Sequence, residues 1–342
     1  MSQEPQHPLL ATIRALHATI RAGVLEACAG QAVEALSAVA DDGEGDTIYA
    51  VDKVSEALLV QELARSAAQF GGIVLVAEGL SGGELILPHG RQAQECRYRV
   101  IVDPIDGTRG LMYQKRPGWV LTGVAPNRGP RTRLRDIELA VQTEIPLLKQ
   151  HLGDELWAVR GRGARAERVN VLTGERSALL LSPSRAPTIA HGYAMVTRFF
   201  PGARDELAAL DDELVMALLG PPQSGKALCF EEQYASSGGQ LYELIAGHDR
   251  FVCDLRPLLT RVLAARGLPR PLCCHPYDLC TTLIAEEMGV FVRNPEGGAF
   301  DAPFEIEADV AWAGYANAEL LRQIEPLLLA ALARRNWSRS SV

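Results

Sequence analysis

Apolar residues recur at helical spacing from the start of the chain. Leu9, Leu10, Ile13, Leu16, Ile20, Val24 and Leu25 mark one face, so an amphipathic helix is predicted there. The acidic, glycine-rich run Asp41 to Asp46 breaks that pattern. A second helix is predicted from about Asp52 to Gln69, with Val54, Leu58 and Leu59 inward and Gly71-Gly72 ending it. The apolar run Ile73 to Ala77 then reads as a buried strand leading into Glu78, and Arg97 to Val102 as another delivering Asp103. Trp119 to Ala125, Ile137 to Thr143 and Leu156 to Arg160 are further strand candidates.

Past the turn-rich segment Ser182 to Pro187 the pattern shifts to alternating helices and strands. Helices are predicted over Arg204 to Leu219, from Ser236-Ser-Gly-Gly through Ile245, over Pro276 to Met288 with the proline at the start, and over Ala318 to Ala333. Phe251 to Asp254 and Val310 to Tyr315 read as strands, and the Arg/Ser-rich end from Arg334 as a frayed tail. The expected division is an N-terminal lobe over 8–185, a C-terminal α/β lobe over 186–335 and a tail over 336–342.

Composition narrows the function classes. With 47% hydrophobic and 22% charged residues, the 342-residue chain reads as globular and large enough for a substantial core. A net charge of −8 argues against a nucleic-acid polymer as partner. No apolar run is long enough to span a bilayer, and the first 30 residues lack the order of a secretory signal, so a cytoplasmic protein is expected. Seven cysteines are an odd number without a C-x-x-C pair, which reads as reduced thiols and not structural zinc.

The chemistry lies in carboxylates at the ends of elements. In Asp103-Pro-Ile-Asp106-Gly-Thr108, a strand delivers Asp103, Pro104 stiffens the turn, and Asp106 follows three residues later. Two carboxylates so spaced can face one cation, with the Ile105 carbonyl as a third hard oxygen, a donor set that suits magnesium. A helix beginning at Gly107-Thr108 would offer N–H groups to a phosphate. Asp-Pro and Asp-Gly are also ordinary turn formers, so the spacing alone leaves a plain turn open.

Asp103 to Thr108 matches the signature of the inositol monophosphatase family, within the lithium-sensitive, fructose-1,6-bisphosphatase-like superfamily. Companion motifs resemble that family in order. Asp46 to Asp52 resembles its first acidic motif, Val76-Ala-Glu78 its Gly-Glu-Glu motif, His275-Pro-Tyr-Asp278 its late Trp-Asp motif, and Gly297 to Asp301 its closing Gly-Gly segment. The resemblance implies an α-β-α-β-α layered sandwich of two lobes. It implies that Glu78, Asp103 and the Ile105 carbonyl hold one Mg²⁺, that Asp103, Asp106 and Asp278 hold a second, and that Glu78 reaches a third, looser ion through water. Thr108 with Asp52 would orient and deprotonate the attacking water, and the Gly107 and Thr108 N–H groups would bind the phosphate. The implied activity is Mg²⁺-dependent hydrolysis of a small phosphorylated metabolite such as an inositol monophosphate, and homodimers are common in the family.

Departures from the pattern concern the outermost metal site, at Gly79, and the substrate. Gly79 replaces the second glutamate, Tyr277 replaces tryptophan, and Leu255 to Cys274 reads as an insertion. Arg109-Gly110 after the signature is more similar to the branch hydrolysing 3′-phosphoadenosine 5′-phosphate, leaving Arg109 either on a second phosphate or on a surface carboxylate. Gly79 is also what a catalytically silent phosphate-ligand binding protein would be expected to tolerate. Gly220 to Lys226 fits G-x-x-x-x-G-K, but Ala227 stands where Ser or Thr is needed and a helix precedes it, so an NTPase is not expected. Gly161-Arg-Gly163 reads as a loop, and His275 as structural.

Overall fold

The computed structural model describes residues 7–30, 39–41, 48–80 and 82–337, without the side chains of 39–41, 48–52 and 54. Helix α1 (Leu10–Gly30) buries Leu10, Ile13, Leu16, Ile20 and Val24, the stripe its periodicity predicts. After the short pair β1 (Val39–Asp41) and β2 (Ile48–Tyr49) comes α2 (Ala50–Ser66).

Strands β3 (Ile73–Ala77), β4 (Glu84–Leu87) and β5 (Tyr98–Asp106) follow, with the five-residue helix α3 (Thr108–Met112) after the last. Next come β6 (Gly118–Pro126), β7 (Leu139–Ile145), β8 (Leu152–Val159), β9 (Ala164–Asn170) and β10 (Arg176–Leu179). These form an eight-stranded sheet in the order β10-β9-β8-β7-β6-β5-β3-β4, antiparallel except for the parallel pair β3/β5.

A second sheet, β11-β12-β14-β13, is built from β11 (Tyr193–Val196), β12 (Asp249–Asp254), β13 (Phe291–Arg293) and β14 (Trp312–Tyr315). Its helices are α4 (Arg204–Leu219), α5 (Ser237–Ile245), α6 (Thr260–Ala265), α7 (Thr282–Glu287) and α8 (Ala318–Arg335).

Strand pleat sorts the core. Val100 and Val102 of β5 pack with α1 and α2, whereas Ile101 between them packs with the layer on the opposite face. Helices α5 and α7 lie between the two sheets, and α4 and α8 cover the outer face of the small one. The architecture is an α-β-α-β-α sandwich, the expected fold class.

The central strands are therefore buried on both faces, and the polar groups they carry need internal partners. His17 of α1 is fully buried, its ring bonded through Nδ1 to Thr143 Oγ1 at 2.9 Å and through Nε2 to Thr122 Oγ1 at 2.8 Å. Burial, with Arg21 nearby, pushes its pKa down to about 3, so it is neutral at physiological pH. His17→Leu strands both hydroxyls and lowers unfolding free energy by about 2–4 kcal/mol, measured by urea denaturation.

The structure differs from the sequence expectations in three places. Pro276 to Met288 is not one helix: a 3-10 turn over Tyr277–Leu279 and the helix α7 flank a break at Cys280 and Thr281. There the Thr281 hydroxyl donates to Gln142 Oε1 at 2.9 Å, and a side chain bonded to the neighbouring sheet anchors the break. Second, the described part of the expected tail, 334–337, is ordered: α8 runs to Arg335, which with Arg334 pairs Glu213, and Trp337 is buried. Residues 338–342 lie outside the described residues. Third, β1, β2, β4, β9, β10, β11 and β13, with the helix α6, are additional to the predicted elements. In β9, Arg165, Glu167 and Arg168 obscure the strand pattern, yet Arg168 pairs Asp154 at 2.7 Å across to β8 and Glu167 takes Arg14 of α1 at 2.6 Å.

Two loop motifs find their structural meaning. Gly161-Arg-Gly163 turns β8 into β9, and its Gly161 and Gly163 N–H groups donate to the Glu287 carboxylate at 2.6 and 2.7 Å. Gly220 to Lys226 follows α4 directly, without the preceding strand that a nucleotide-binding loop requires.

Candidate metal centre

The register of β5 brings the carboxylates together. The strand is buried at all nine positions, and a bulge between Asp103 and Asp106 lets both leave its end on one side. Asp103 Oδ1 accepts the Ile105 N–H at 3.0 Å, closing a tight turn around Pro104. Gly107 is left-handed at φ +83°, and a Cβ there would lie 3.0 Å from Ser236 Cβ, so turn and close approach both require glycine.

The third carboxylate comes from the 3-10 turn Tyr277–Leu279, where Asp278 Oδ2 accepts the His275 N–H at 2.5 Å. Asp103, Asp106 and Asp278 each offer a carboxylate oxygen within 4.8 Å of the others, and no other His, Cys, Asp or Glu group converges this way among the described residues. Asp103 is 2% and Asp106 5% exposed.

They share a cleft whose lining also includes Glu78, Ile105, Gly107, Thr108 and Arg109. Asp52 is the third residue of α2, and its side chain lies outside the described residues. Thr108 Oγ1 donates to the Ile105 carbonyl at 2.7 Å, which leaves that oxygen a second lone pair.

Electrostatics shows what the cluster lacks. Burial, then the charges of Asp106, Glu78 and Asp278, holds the Asp103 carboxyl well above its usual range. Burial followed by the Asp106 charge does the same to Asp278, against the His275 N–H and the Arg256 guanidinium. Asp106 is pushed up to about 6 by burial, although the Ser236 hydroxyl and backbone N–H groups of 237–239 pull it down. Carboxylates that are desolvated and mutually repulsive gain from a multivalent cation. The donor set is hard oxygen throughout, which fits Mg²⁺ and not a thiophilic ion.

Residues that the sequence reading did not connect to the site also hold it. Asp106 Oδ2 accepts the Ser236 hydroxyl at 2.7 Å and the Gly238 N–H at 2.6 Å, while Ser236 Oγ accepts Gly239 N–H at 2.8 Å as the N-cap of α5. A helix N-terminus from the second half of the chain thus fixes one oxygen of Asp106 and leaves the other for a cation. The signal, Ser236-Ser-Gly-Gly as a helix start, is legible, but not what the start is aimed at. Ser236→Ala removes both bonds and is expected to cost about 1–2 kcal/mol of stability and to weaken Mg²⁺ binding about 10-fold, read by thermal melting and Mg²⁺ titration.

At the position of the missing glutamate, Gly79 is left-handed at φ +84°, and a Cβ there would lie 3.0 Å from Glu56 Oε2. A side chain is therefore disfavoured at 79 by backbone conformation and by the Glu56 carboxylate. Tyr277, in the tryptophan position, is buried and lies flat against His275 at 5.3 Å between ring centres. The expected insertion supplies a wall: Arg256, Leu272, Cys273 and Cys274 all line the cleft. It is fastened by Arg266 to Asp205 and Glu206, each at 2.7 Å, and by Arg270 to Asp309.

No family model matches the sequence, and no curated protein does. Solved structures share its fold at low identity. The extragenic suppressor protein suhB from Bartonella henselae superposes with a TM-score of 0.64 at 16% identity, covering 94% of this chain and 98% of its own. Fructose-1,6-bisphosphatase from Leishmania major gives 0.65 at 13% identity over 95% and 94%, respectively. Inositol monophosphatase from Anabaena (Nostoc) sp. PCC 7120 gives 0.57 at 16% identity over 95% and 96%. The chain has the inositol-monophosphatase-like fold.

Proposed function

We propose that this fold, with its cluster of buried Asp103 and Asp106 and half-buried Asp278, serves a magnesium-dependent phosphomonoesterase acting on a small phosphorylated metabolite. The convergence of those three carboxylates at one point of the cleft carries the reading. Structural neighbours named as an inositol monophosphatase and a fructose-1,6-bisphosphatase support it. No helix of the described residues is long and apolar enough to cross a membrane.

Glu78, Asp103 and the Ile105 carbonyl would hold one Mg²⁺, and Asp103, Asp106 and Asp278 a second, with Glu78 extending toward a third. Bound there, divalent cations supply charge neutralisation at the phosphate and lower the pKa of water. The Gly107 and Thr108 N–H groups receive the phosphate. The Thr108 hydroxyl orients the attacking water, and Asp52 with Thr108 takes its proton. The water oxygen bonds to phosphorus, the bond from phosphorus to the leaving oxygen breaks, and that oxygen gains a proton from solvent. The cytoplasm is the compartment that fits free thiols and such a substrate.

The test is phosphate release with and without Mg²⁺ from inositol 1-phosphate, 3′-phosphoadenosine 5′-phosphate and fructose 1,6-bisphosphate. Metal-dependent turnover of at least one is expected. Ligand binding without turnover on all three would indicate a binding protein in place of an enzyme. Preference for the nucleotide would favour the second reading, which rests on Arg109 lining the cleft.

A further inference from the structure

The cleft that holds the acidic cluster also carries two arginines, each packed against the Phe200 ring. The Arg256 guanidinium carbon lies 4.5 Å from the Phe199 ring centre and 5.2 Å from that of Phe200, and the Arg109 guanidinium carbon lies 5.2 Å from Phe200. All four side chains line the same cleft as Asp103, Asp106 and Asp278.

Arg256 is 3% exposed, and its position is over-determined. Nε donates to both oxygens of Asp254 at 2.9 and 3.1 Å, Nη2 donates to Asp254 Oδ2, and Nη1 to the Leu272 carbonyl at 2.6 Å. Asp254 itself is 1% exposed. These bonds use one N–H on each nitrogen, and a guanidinium has five in a fixed planar fork, so a further N–H remains on each terminal nitrogen.

A buried ion pair of this kind is, on balance, no more stabilising than well-packed apolar residues of the same volume. Stability alone does not account for a clamped guanidinium at a cleft wall. Two guanidinium groups on a shared ring instead suit a planar or tetrahedral oxyanion, which such forks bind through charge-assisted bonds. The phosphate to be hydrolysed is provided for elsewhere, by the Gly107-Thr108 turn.

We infer that the Arg109–Phe200–Arg256 wall recognises a second anionic group on the leaving-alcohol portion of the substrate. The substrate class is then a small phosphomonoester carrying another phosphate or a carboxylate. This rests on the phosphatase reading of the aspartate cluster and adds the specificity that reading lacks. The wall is built partly from the insertion, since Arg256 and Leu272 belong to it.

Matched pairs test the wall. 3′-Phosphoadenosine 5′-phosphate against adenosine 3′-phosphate, and fructose 1,6-bisphosphate against fructose 1-phosphate, differ by a second phosphate. 3-Phosphoglycerate against glycerol 3-phosphate differs by a carboxylate. In at least one pair the doubly anionic member is expected to show kcat/KM at least about 10-fold higher, carried mostly by KM, and the pair that responds identifies the second anion. Arg109→Gln is expected to raise KM for that doubly anionic member about 10-fold more than for its partner. Arg256→Gln is made together with Asp254→Asn, so that no buried carboxylate is left unpaired, and a thermal melt verifies folding. It should shift the same ratio.

Equal handling within every pair, or equal losses of kcat for both members in the variants, overturns the inference. If nothing is hydrolysed, the phosphatase reading fails, and calorimetric binding of the same compounds decides on the wall. Tighter binding of the doubly anionic members, lost in Arg109→Gln, keeps it, and indifference removes it.

Discussion

Asp106→Asn abolishes phosphate release, by at least about 1,000-fold or some 4 kcal/mol of barrier, while the protein melts no lower than wild type without metal. The asymmetry follows from the surroundings of Asp106. Its Oδ2 is fixed by the Ser236 hydroxyl and the Gly238 N–H, and an asparagine carbonyl can accept both. The amide NH₂ then occupies the place of the cation-facing oxygen and presents hydrogens to a site that needs lone pairs. Folding is spared because the wild-type carboxylate is itself strained: burial has pushed it up to about 6, and Asp103 and Asp278 feel its charge. Replacing it removes one of three mutually repelling charges. Steady-state phosphate release and differential scanning calorimetry in EDTA read the two halves of the prediction.

Mg²⁺ is expected to raise the melting temperature by about 5 °C at pH 8, at an ion concentration about 100 times its dissociation constant, and by clearly less at pH 5.5. The sign follows from proton linkage. The Asp106 pKa rises from 3.8 unfolded to about 6 folded, so the folded state binds more protons across that interval. Its contribution to stability is complete below the unfolded value and lost as pH rises through the folded one. Asp103 and Asp278 are raised in the same direction and extend the loss upward.

His17 acts oppositely. Lowered from 6.5 to about 3, its contribution is complete above 6.5 and lost as pH falls toward 3. Above pH 6.5 the raised carboxyls set the slope, with Glu144 and Asp249, each pushed up to about 7 by burial, adding to the three aspartates, and metal-free protein should lose stability toward pH 8. Mg²⁺ binds the deprotonated carboxylates and reverses that loss. Scanning calorimetry at the two pH values, with Mg²⁺ or EDTA, measures this. Equal Mg²⁺ increments at both pH values would count against it.

Much of the centre was legible because its chemistry is local in the chain. Asp103, Ile105 and Asp106 sit on one turn, and the strand delivering them is an unbroken apolar run that reads as buried. Asp278 was legible only through the family resemblance, because what brings it to Asp106 is packing across 172 positions of the sequence. The helix start at Ser236 was visible, but its target was not: local capping patterns mark an element's end without saying which loop it meets.

The same limit hid Arg256. As sequence it is one arginine among many, and only the fold sets it against Phe199, Phe200 and the cleft. The charged strand β9 was unreadable for a different reason. Its Glu167 and Arg168 pair with Arg14 of α1 and with Asp154 across the sheet, so polarity at those two positions signals partners, while Arg165 faces solvent.

The most direct test of the central claim is a crystal of the protein grown with Mn²⁺ as an anomalously scattering substitute for Mg²⁺. The account predicts anomalous density in contact with Asp103, Asp106 and Asp278, and its disappearance in Asp106→Asn crystals grown the same way. Anomalous density that avoids these three carboxylates, from protein that hydrolyses phosphomonoesters, would contradict it.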